Sequence, residues 1–270
     1  MAIITISRGS YSKGKEVAEK VADQLGYECL SREVILDASG QCHIPEIKMI
    51  KAIHDAPTIL GRFNHSKQTF ITCYQNALVR RVQKDNVVYH GLAGHLLLSG
   101  VPHVLKVRII ADLTDRIKNE MNREGISEQQ ARSSLLKDDQ ERRKWTQSLY
   151  DADPWDSALY DLVIHIHKFT AADAADFICR AVALEQFKTT REAQRKMDDL
   201  SLASQVKTAL VESYQDIAVT CEYGNVLIYT RSEDHHTHKL ETKAKALAKE
   251  IDGIHHIEVH SKVAVPPNAI

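Results

Sequence analysis

The segment Gly9-Ser10-Tyr11-Ser12-Lys13-Gly14-Lys15 has the spacing of a phosphate-binding loop, G-x-x-x-x-G-K. Ala2–Ile6 before it reads as a short buried strand rich in β-branched side chains. After it, Val17, Val21 and Leu25 recur on one face of a helix that Gly26 would stop. A strand, a glycine loop and a helix start aim backbone N–H groups at one point, and the helix dipole favours an anion there. Lys15 would add a point charge for the β/γ-phosphates of a nucleotide. The next position departs from the pattern: a Ser or Thr hydroxyl for Mg²⁺ is expected, and Glu16 is present. A carboxylate can bind magnesium but also repels phosphate. Glu16 reads equally as a first-turn residue stabilised by the helix dipole.

A second group of charges lies between residues 116 and 143: Arg116, Arg123, Arg132, Lys137, Arg142 and Arg143. Phosphoryl transfer needs cations over the phosphates. Arg132 and Arg143 are eleven positions apart, close to three turns, and share a face if the helix is unbroken. Asp139 precedes Arg142 by three, a spacing at which the two can pair. The competing reading is a solvated helix face laced with ion pairs. His235, His236 and His238 read as exposed polar residues rather than as a metal site, since no partner motif accompanies them.

The elements that must carry these residues alternate. Helices are expected around 44–54 and 68–83, and Asn86–Gly91 is a strand ending in glycine. A helix over 92–99, a strand over His103–Ile110 and two charged helices over 112–124 and 127–150 follow, with Ser127 and Gln130 forming a capping box. Leu159–Ile166 is another strand, and Thr170 caps a helix reaching 183. This alternation implies a mostly parallel sheet covered on both faces, with ligands at the carboxyl ends of its strands. The domain reading is 1–185 for this unit, 186–200 as a charged linker helix and 201–270 as a small α/β unit. The last has a helix marked by Val206 and Leu210, then a hairpin of Ile217–Cys221 and Asn225–Tyr229. A helix over His238–Ile251 and a strand over Ile254–Val259 complete it.

Bulk composition narrows the class. The 270 residues allow one large or two smaller domains, and 43% hydrophobic with 26% charged residues supports a sizeable core. A net charge of −1 gives no support for bulk nucleic-acid binding. No run of 18 apolar residues and no secretory pattern is present. The five cysteines (Cys29, Cys42, Cys73, Cys179, Cys221) are odd in number and never spaced C-x-x-C, which points to a reducing cytoplasm and against a disulfide framework or zinc site.

Ile4-Thr5-Ile6-Ser7-Arg8, Gly14-Lys15-Glu16-Val17-Ala18 and Leu25-Gly26-Tyr27 together resemble the opening of the cytidylate kinase-like family: I-S-R, then G-S-G-G-R-E, then a helix ending L-G-Y. In that register Glu16 matches the family's own glutamate, and Lys15 its arginine. The resemblance continues through Val87–Gly91, Leu105–Ala111, Asp139-x-x-Arg142 and Tyr160–Ile164, and covers roughly residues 1–180. It implies an α/β P-loop three-layer sandwich and a kinase using ATP and Mg²⁺ on a nucleoside monophosphate or other small acceptor. Ser10, Ser12, Lys13, Gly14, Lys15, Glu16 and Val17 would surround the donor phosphates. Arg132, Lys137, Asp139 and Arg142 would form a mobile lid, with Arg116 near the adenine side. Arg32, Arg81 and Gly91 would meet the acceptor. Tyr11 and Lys13 stand where the family has glycines, narrowing the room for phosphate. Leu92 stands where the family has an arginine for the acceptor phosphate. These losses leave a second possibility, a nucleotide sensor or scaffold without turnover. Residues of about 200–265 resemble a BON domain, through Tyr223-Gly224-Asn225-Val226-Leu227 and Ile251–Ile257, which implies an unidentified ligand or protein partner.

Overall fold

The computed structural model describes residues 2–47, 67–231 and 234–270, with backbone only at 67, 68, 149 and 234–236. The first strand, β1 (Ile3–Arg8), alternates its side chains between two cores. Ile3 faces one, packed with α2 (Glu33–Cys42) and α3 (Lys67–Val82). Ile4 and Ile6 face the other, against α1 (Gly14–Leu25) and α7 (Ala171–Val182). This makes three layers. Among the described residues the central sheet has five parallel strands in the order β2-β3-β1-β4-β5, where β2 is Glu28–Leu30, β3 Val87–Tyr89, β4 Val104–Ala111 and β5 Leu162–Ile166. Strand β2 is too short to show a period, and no sequence signal announces it. The helix expected at 44–54 lies largely outside the described residues. The helix expected over 92–99 shrinks to α4 (Gly94–Leu97).

Helices α5 (Leu113–Glu124) and α6 (Glu128–Tyr150) follow β4. Ser127 and Gln130 form the expected capping box. Thr170 and Asp173 form another at α7.

The cysteine expectation requires correction. Cys42 at the end of α2 and Cys73 in α3 are joined by a disulfide. They lie 31 residues apart in sequence, and the packing of α2 on α3 brings them together. The odd count and absent C-x-x-C spacing are blind to such a pairing.

The charged segment over 191–200 is helical. It forms the first half of α8 (Arg191–Val211), a single helix that serves two cores. Met197 is buried with α3, while Ala203, Val206 and Leu210 are buried against a second sheet. That sheet has the order β6-β7-β8, with β6 (Ile217–Glu222) antiparallel to β7 (Asn225–Thr230) and β7 parallel to β8 (His256–Ser261). Helix α9 (Asp234–Glu250) connects β7 to β8. Tyr223 and Gly224 form the hairpin turn, both at positive φ (53° and 74°), the twist that suits a two-residue connection.

Candidate functional site

The loop between β1 and α1 lies at the carboxyl edge of the sheet. Lys13 is the N-cap of α1 at φ 61° and makes no side-chain cap. The amides of Gly14, Lys15 and Glu16 therefore have no capping acceptor among the described residues and face outward from the first turn. Lys15 is exposed, its Nζ 3.6 Å from Glu19, a weak surface pair that leaves the ammonium free to turn toward a ligand. This donor set fits a polyphosphate, and the Glu16 carboxylate lies exposed on the same turn.

The other expected phosphate contacts have different duties. Val17 gives its N–H to Lys13 O at 3.0 Å and buries its side chain in the core. The Ser12 hydroxyl donates to Gly9 O at 3.0 Å or Ile109 O at 3.2 Å, tying the loop to β4. Ser10 is held at both ends: its N–H donates to Asp139 Oδ1 at 3.2 Å, and its carbonyl accepts from Arg116 Nε at 2.6 Å. Arg116 and Asp139 close the ring at 2.7 Å, nearly buried. One loop amide is thus occupied by a carboxylate from α6.

This ring corrects one expectation: Asp139 pairs with Arg116, not with Arg142, and Arg116 also holds the Ser10 carbonyl. Tyr11 is held by the same helix pair. It has a left-handed φ (57°), and its ring lies under Arg123, 4.3 Å from the guanidinium carbon, against the α5–α6 pair. Its hydroxyl accepts from Arg123 Nη2 at 2.6 Å. The side chain is packed against Ile117, Ala131 and Leu135 of the α5–α6 pair.

Beside the loop opens a cavity of about 360 Å³. Arg8, Arg32, Gly91, Leu92, Arg108 and Arg142 line it, with Trp145 and Trp155 as apolar walls. Arg8 ends β1. A Cβ on Gly14 would stand 2.6 Å from Arg8 Cβ, so only glycine lets that side chain cross the start of α1. Burial lowers the Arg8 pKa, and the charge of Arg142 lowers it further. Burial, then Arg8, brings His90 down to about 4. Burial, then Arg108, brings His95 down to about 3. Both histidines are neutral at pH 7. Tyr160 Oη lies 3.2 Å from His95 Nε2, 3.2 Å from Ser7 Oγ and 3.0 Å from Pro154 O, and Arg108 donates to it at 3.3 Å. His95 and Arg108 carried no motif signal. Their alternation within buried strand and helix patterns is the one trace they leave.

The remaining sequence candidates scatter. Arg142 faces the cavity, but Arg132 does not, and Lys137 is exposed beside Glu141 at 3.8 Å. Helix α6 is unbroken, yet eleven residues at about 1.5 Å each cannot place Arg132 and Arg143 at one site. Arg143 instead pairs with Asp153 and stacks on Trp155. Arg32 lines the cavity but pairs with Glu46. Arg81 lies elsewhere, bound to Asp37 at 2.5 Å and near Glu28 at 3.7 Å. Gly91 leaves space for Tyr89, whose hydroxyl would be 2.2 Å from an added Cβ. His238 is exposed near Glu241, and the side chains of His235 and His236 lie outside the described residues. A three-ligand cluster among the described residues lies instead at Asp112, Asp115 and His167, within 4.8 Å of one another.

Residues 3–168 match the profile of the cytidylate kinase-like family. The chain belongs to the cytidylate kinase-like family. Among solved structures, this family member resembles an uncharacterized protein from Eubacterium ventriosum ATCC 27560, 22% identical over 67% of this chain and 97% of that one, with a TM-score of 0.53. That likeness concerns the fold. A shikimate kinase from Acinetobacter baumannii is 14% identical over 70% of this chain and 96% of that one, with a TM-score of 0.39, too loose to bear on chemistry. A curated uronate isomerase from Corynebacterium glutamicum is 30% identical over 99 residues, 37% of this chain. The kinase-like chain spans 19% of that protein's length. No helix among the described residues is long and apolar enough to cross a membrane.

Proposed function

We propose that this chain transfers the γ-phosphoryl group of ATP, with Mg²⁺, to a small acceptor of the CMP type. The observation that carries the reading is the fan of uncapped amides at Gly14–Glu16 beside Lys15, next to an arginine-lined cavity. The amides and Lys15 would grip the β- and γ-phosphates. Glu16 would hold the metal, which supplies charge neutralisation across the phosphates when bound. Arg142 would offset charge developing on the transferred group. The cavity walls would orient the acceptor and exclude water. No general base need be assigned, because phosphoryl transfer rests mainly on positioning and electrostatics. The 201–270 unit, read as BON-like, would bind a further ligand or partner.

Two observations favour a second reading, a nucleotide sensor without turnover. Asp139 occupies the Ser10 amide, and Leu92 removes a cation from the acceptor cavity. Assays with ATP, Mg²⁺ and each nucleoside monophosphate separate the two. The kinase reading expects turnover that falls at least ~100-fold in both Lys15→Ala and Arg142→Ala, the scale of losing one transition-state contact. ATP binding without turnover on any acceptor would establish the sensor, and absence of nucleotide binding would sink both.

A further inference from the structure

We propose that Asp112, Asp115 and His167 form a divalent transition-metal site of the zinc class at the carboxyl ends of β4 and β5, with His165 orienting its central carboxylate. The proposal stands apart from the kinase reading, because none of these residues lines the cavity beside the phosphate loop.

Backbone register brings the four side chains together. Strands β4 and β5 are parallel, and Ile110 lies beside His165. Two positions on, the same register sets Asp112 beside His167. Alternate residues of a strand share a face, so both imidazoles stand on one side of the sheet. Their rings stack with centroids 6.1 Å apart. Asp115 comes from the first turn of α5, three positions after Asp112, which puts both carboxylates on one side of the helix start.

The distances are those of ligands around one ion. His167 Nδ1 lies 3.0 Å from Asp112 Oδ2 and 3.5 Å from Asp115 Oδ2. One donor atom from each of the three residues falls within 4.8 Å of the others. Two donors bound about 2.0–2.2 Å from one ion, at roughly 90–110°, are themselves about 3–3.5 Å apart. The other Asp112 oxygen, Oδ1, lies 3.0 Å from His165 Nε2, which fixes the carboxylate as an outer partner does in metal sites.

A solvated set of imidazolium–carboxylate pairs is the competing account, and two observations weigh against it. Asp112 is the N-cap residue of α5, where an aspartate ordinarily accepts from the second or third helical amide, yet its side chain makes no such bond. Its oxygens are turned to the histidines instead. Asp112 and Asp115 also hold two carboxylates together with no lysine or arginine at ion-pair distance among the described residues. Arg116, the nearest arginine in sequence, is taken by Asp139 and the Ser10 carbonyl. A bound cation would offset the repulsion between the two acids. Imidazole nitrogen beside carboxylate oxygen favours zinc or nickel over magnesium or calcium. Because Arg116 follows Asp115 directly, an ion here would brace the start of α5 next to the residue that holds the phosphate loop.

The test is isothermal calorimetry of the full chain, stripped with EDTA and free of nucleotide, titrated with Zn²⁺ and separately with Mg²⁺. Wild-type protein is expected to bind Zn²⁺ at least about tenfold more tightly than Mg²⁺. Asp112→Asn and His167→Gln should each weaken the tightest Zn²⁺ event at least about tenfold. Zn²⁺ should raise the melting temperature of wild type and not that of His167→Gln. Circular dichroism checks folding; His167 is exposed, so His167→Gln decides if Asp112→Asn does not fold. A His256→Gln/His260→Gln variant alters the other histidine–glutamate group, on β8 around Glu258, and should leave the affinity unchanged. Co²⁺ supplies the last readout, an absorption spectrum expected to lack a thiolate charge-transfer band. No Zn²⁺ binding, Mg²⁺ bound as tightly as Zn²⁺, or affinity unchanged in the folded Asp112 and His167 variants would overturn the site. So would a loss in the β8 variant alone, or a thiolate band from Cys29, Cys179 or Cys221.

Discussion

His90 and His95 show how one environment can silence two titratable groups. Both lie in or beside the cavity, at 7% and 5% exposure, with pKa values brought down to about 4 and about 3. In the unfolded chain each returns to about 6.5. Between those values and pH 6.5 the unfolded state binds more protons than the folded state, so stability rises with pH. The neutral-histidine contribution is complete above the unfolded pKa and is lost as pH falls toward the folded values. Each histidine then contributes a slope of about 1.4 kcal/mol per pH unit. Urea unfolding at pH 7, 6 and 5 should show progressive destabilisation. A His90→Asn/His95→Gln double variant should flatten that dependence. An equally steep profile in the double variant would place the acid sensitivity elsewhere.

At the level of elements, the α5–α6 pair is tied to the loop by side-chain contacts. The ring of Arg116, Asp139 and Ser10 joins elements up to 129 residues apart, and the Tyr11–Arg123 stack adds a second attachment. Asp139→Asn keeps the shape and removes the charge, leaving Arg116 nearly buried without its counterion. The expected cost is about 3 kcal/mol, read as a lower urea midpoint with an unchanged slope. A loss below about 0.5 kcal/mol would mean that the pair is no more than a surface contact. The loop itself was legible from spacing because its chemistry is local: an apolar strand, two glycines and a helix face lie within residues 2–25. The direction of Tyr11 was not, since the ring's destination is set by helices a hundred residues later.

At the scale of the whole molecule, α8 makes the second sheet an extension of the first core. Gln83 donates to Asp198 at 3.0 Å, and Gln194 donates back to Gln83 O at 3.1 Å, fixing the front half of the helix on the kinase-like unit. The residue after Asp198, Asp199, reaches into the second unit. It accepts from the Tyr223 and Gly224 amides of the hairpin at 3.1 and 3.0 Å, and from Cys221 at 3.3 Å. Burial, then Asp199, pushes the Cys221 thiol up to about 12, which keeps it a proton donor. Asp199→Ala would strand two backbone donors and should cost about 2–3 kcal/mol. Hydrogen exchange should show the β6–β7 amides losing protection while β1 and β4 amides keep theirs. Loss across both sheets would instead show that they unfold as one cooperative body.

The amino-acid sequence alone specified the phosphate loop, the parallel alternation of strands and helices, and the β6–β7 hairpin. Those features depend on residues a few positions apart, through periodicity, capping and turn chemistry. Tertiary structure decided which arginines meet. It sent Arg81 to Asp37, Arg116 to the Ser10 carbonyl and Arg132 into solvent, and placed Arg8 and Arg142 on one cavity. It also joined Cys42 to Cys73. Ion pairs and disulfides form between side chains that folding brings within a few ångströms, and that distance depends on how the layers pack rather than on separation along the chain.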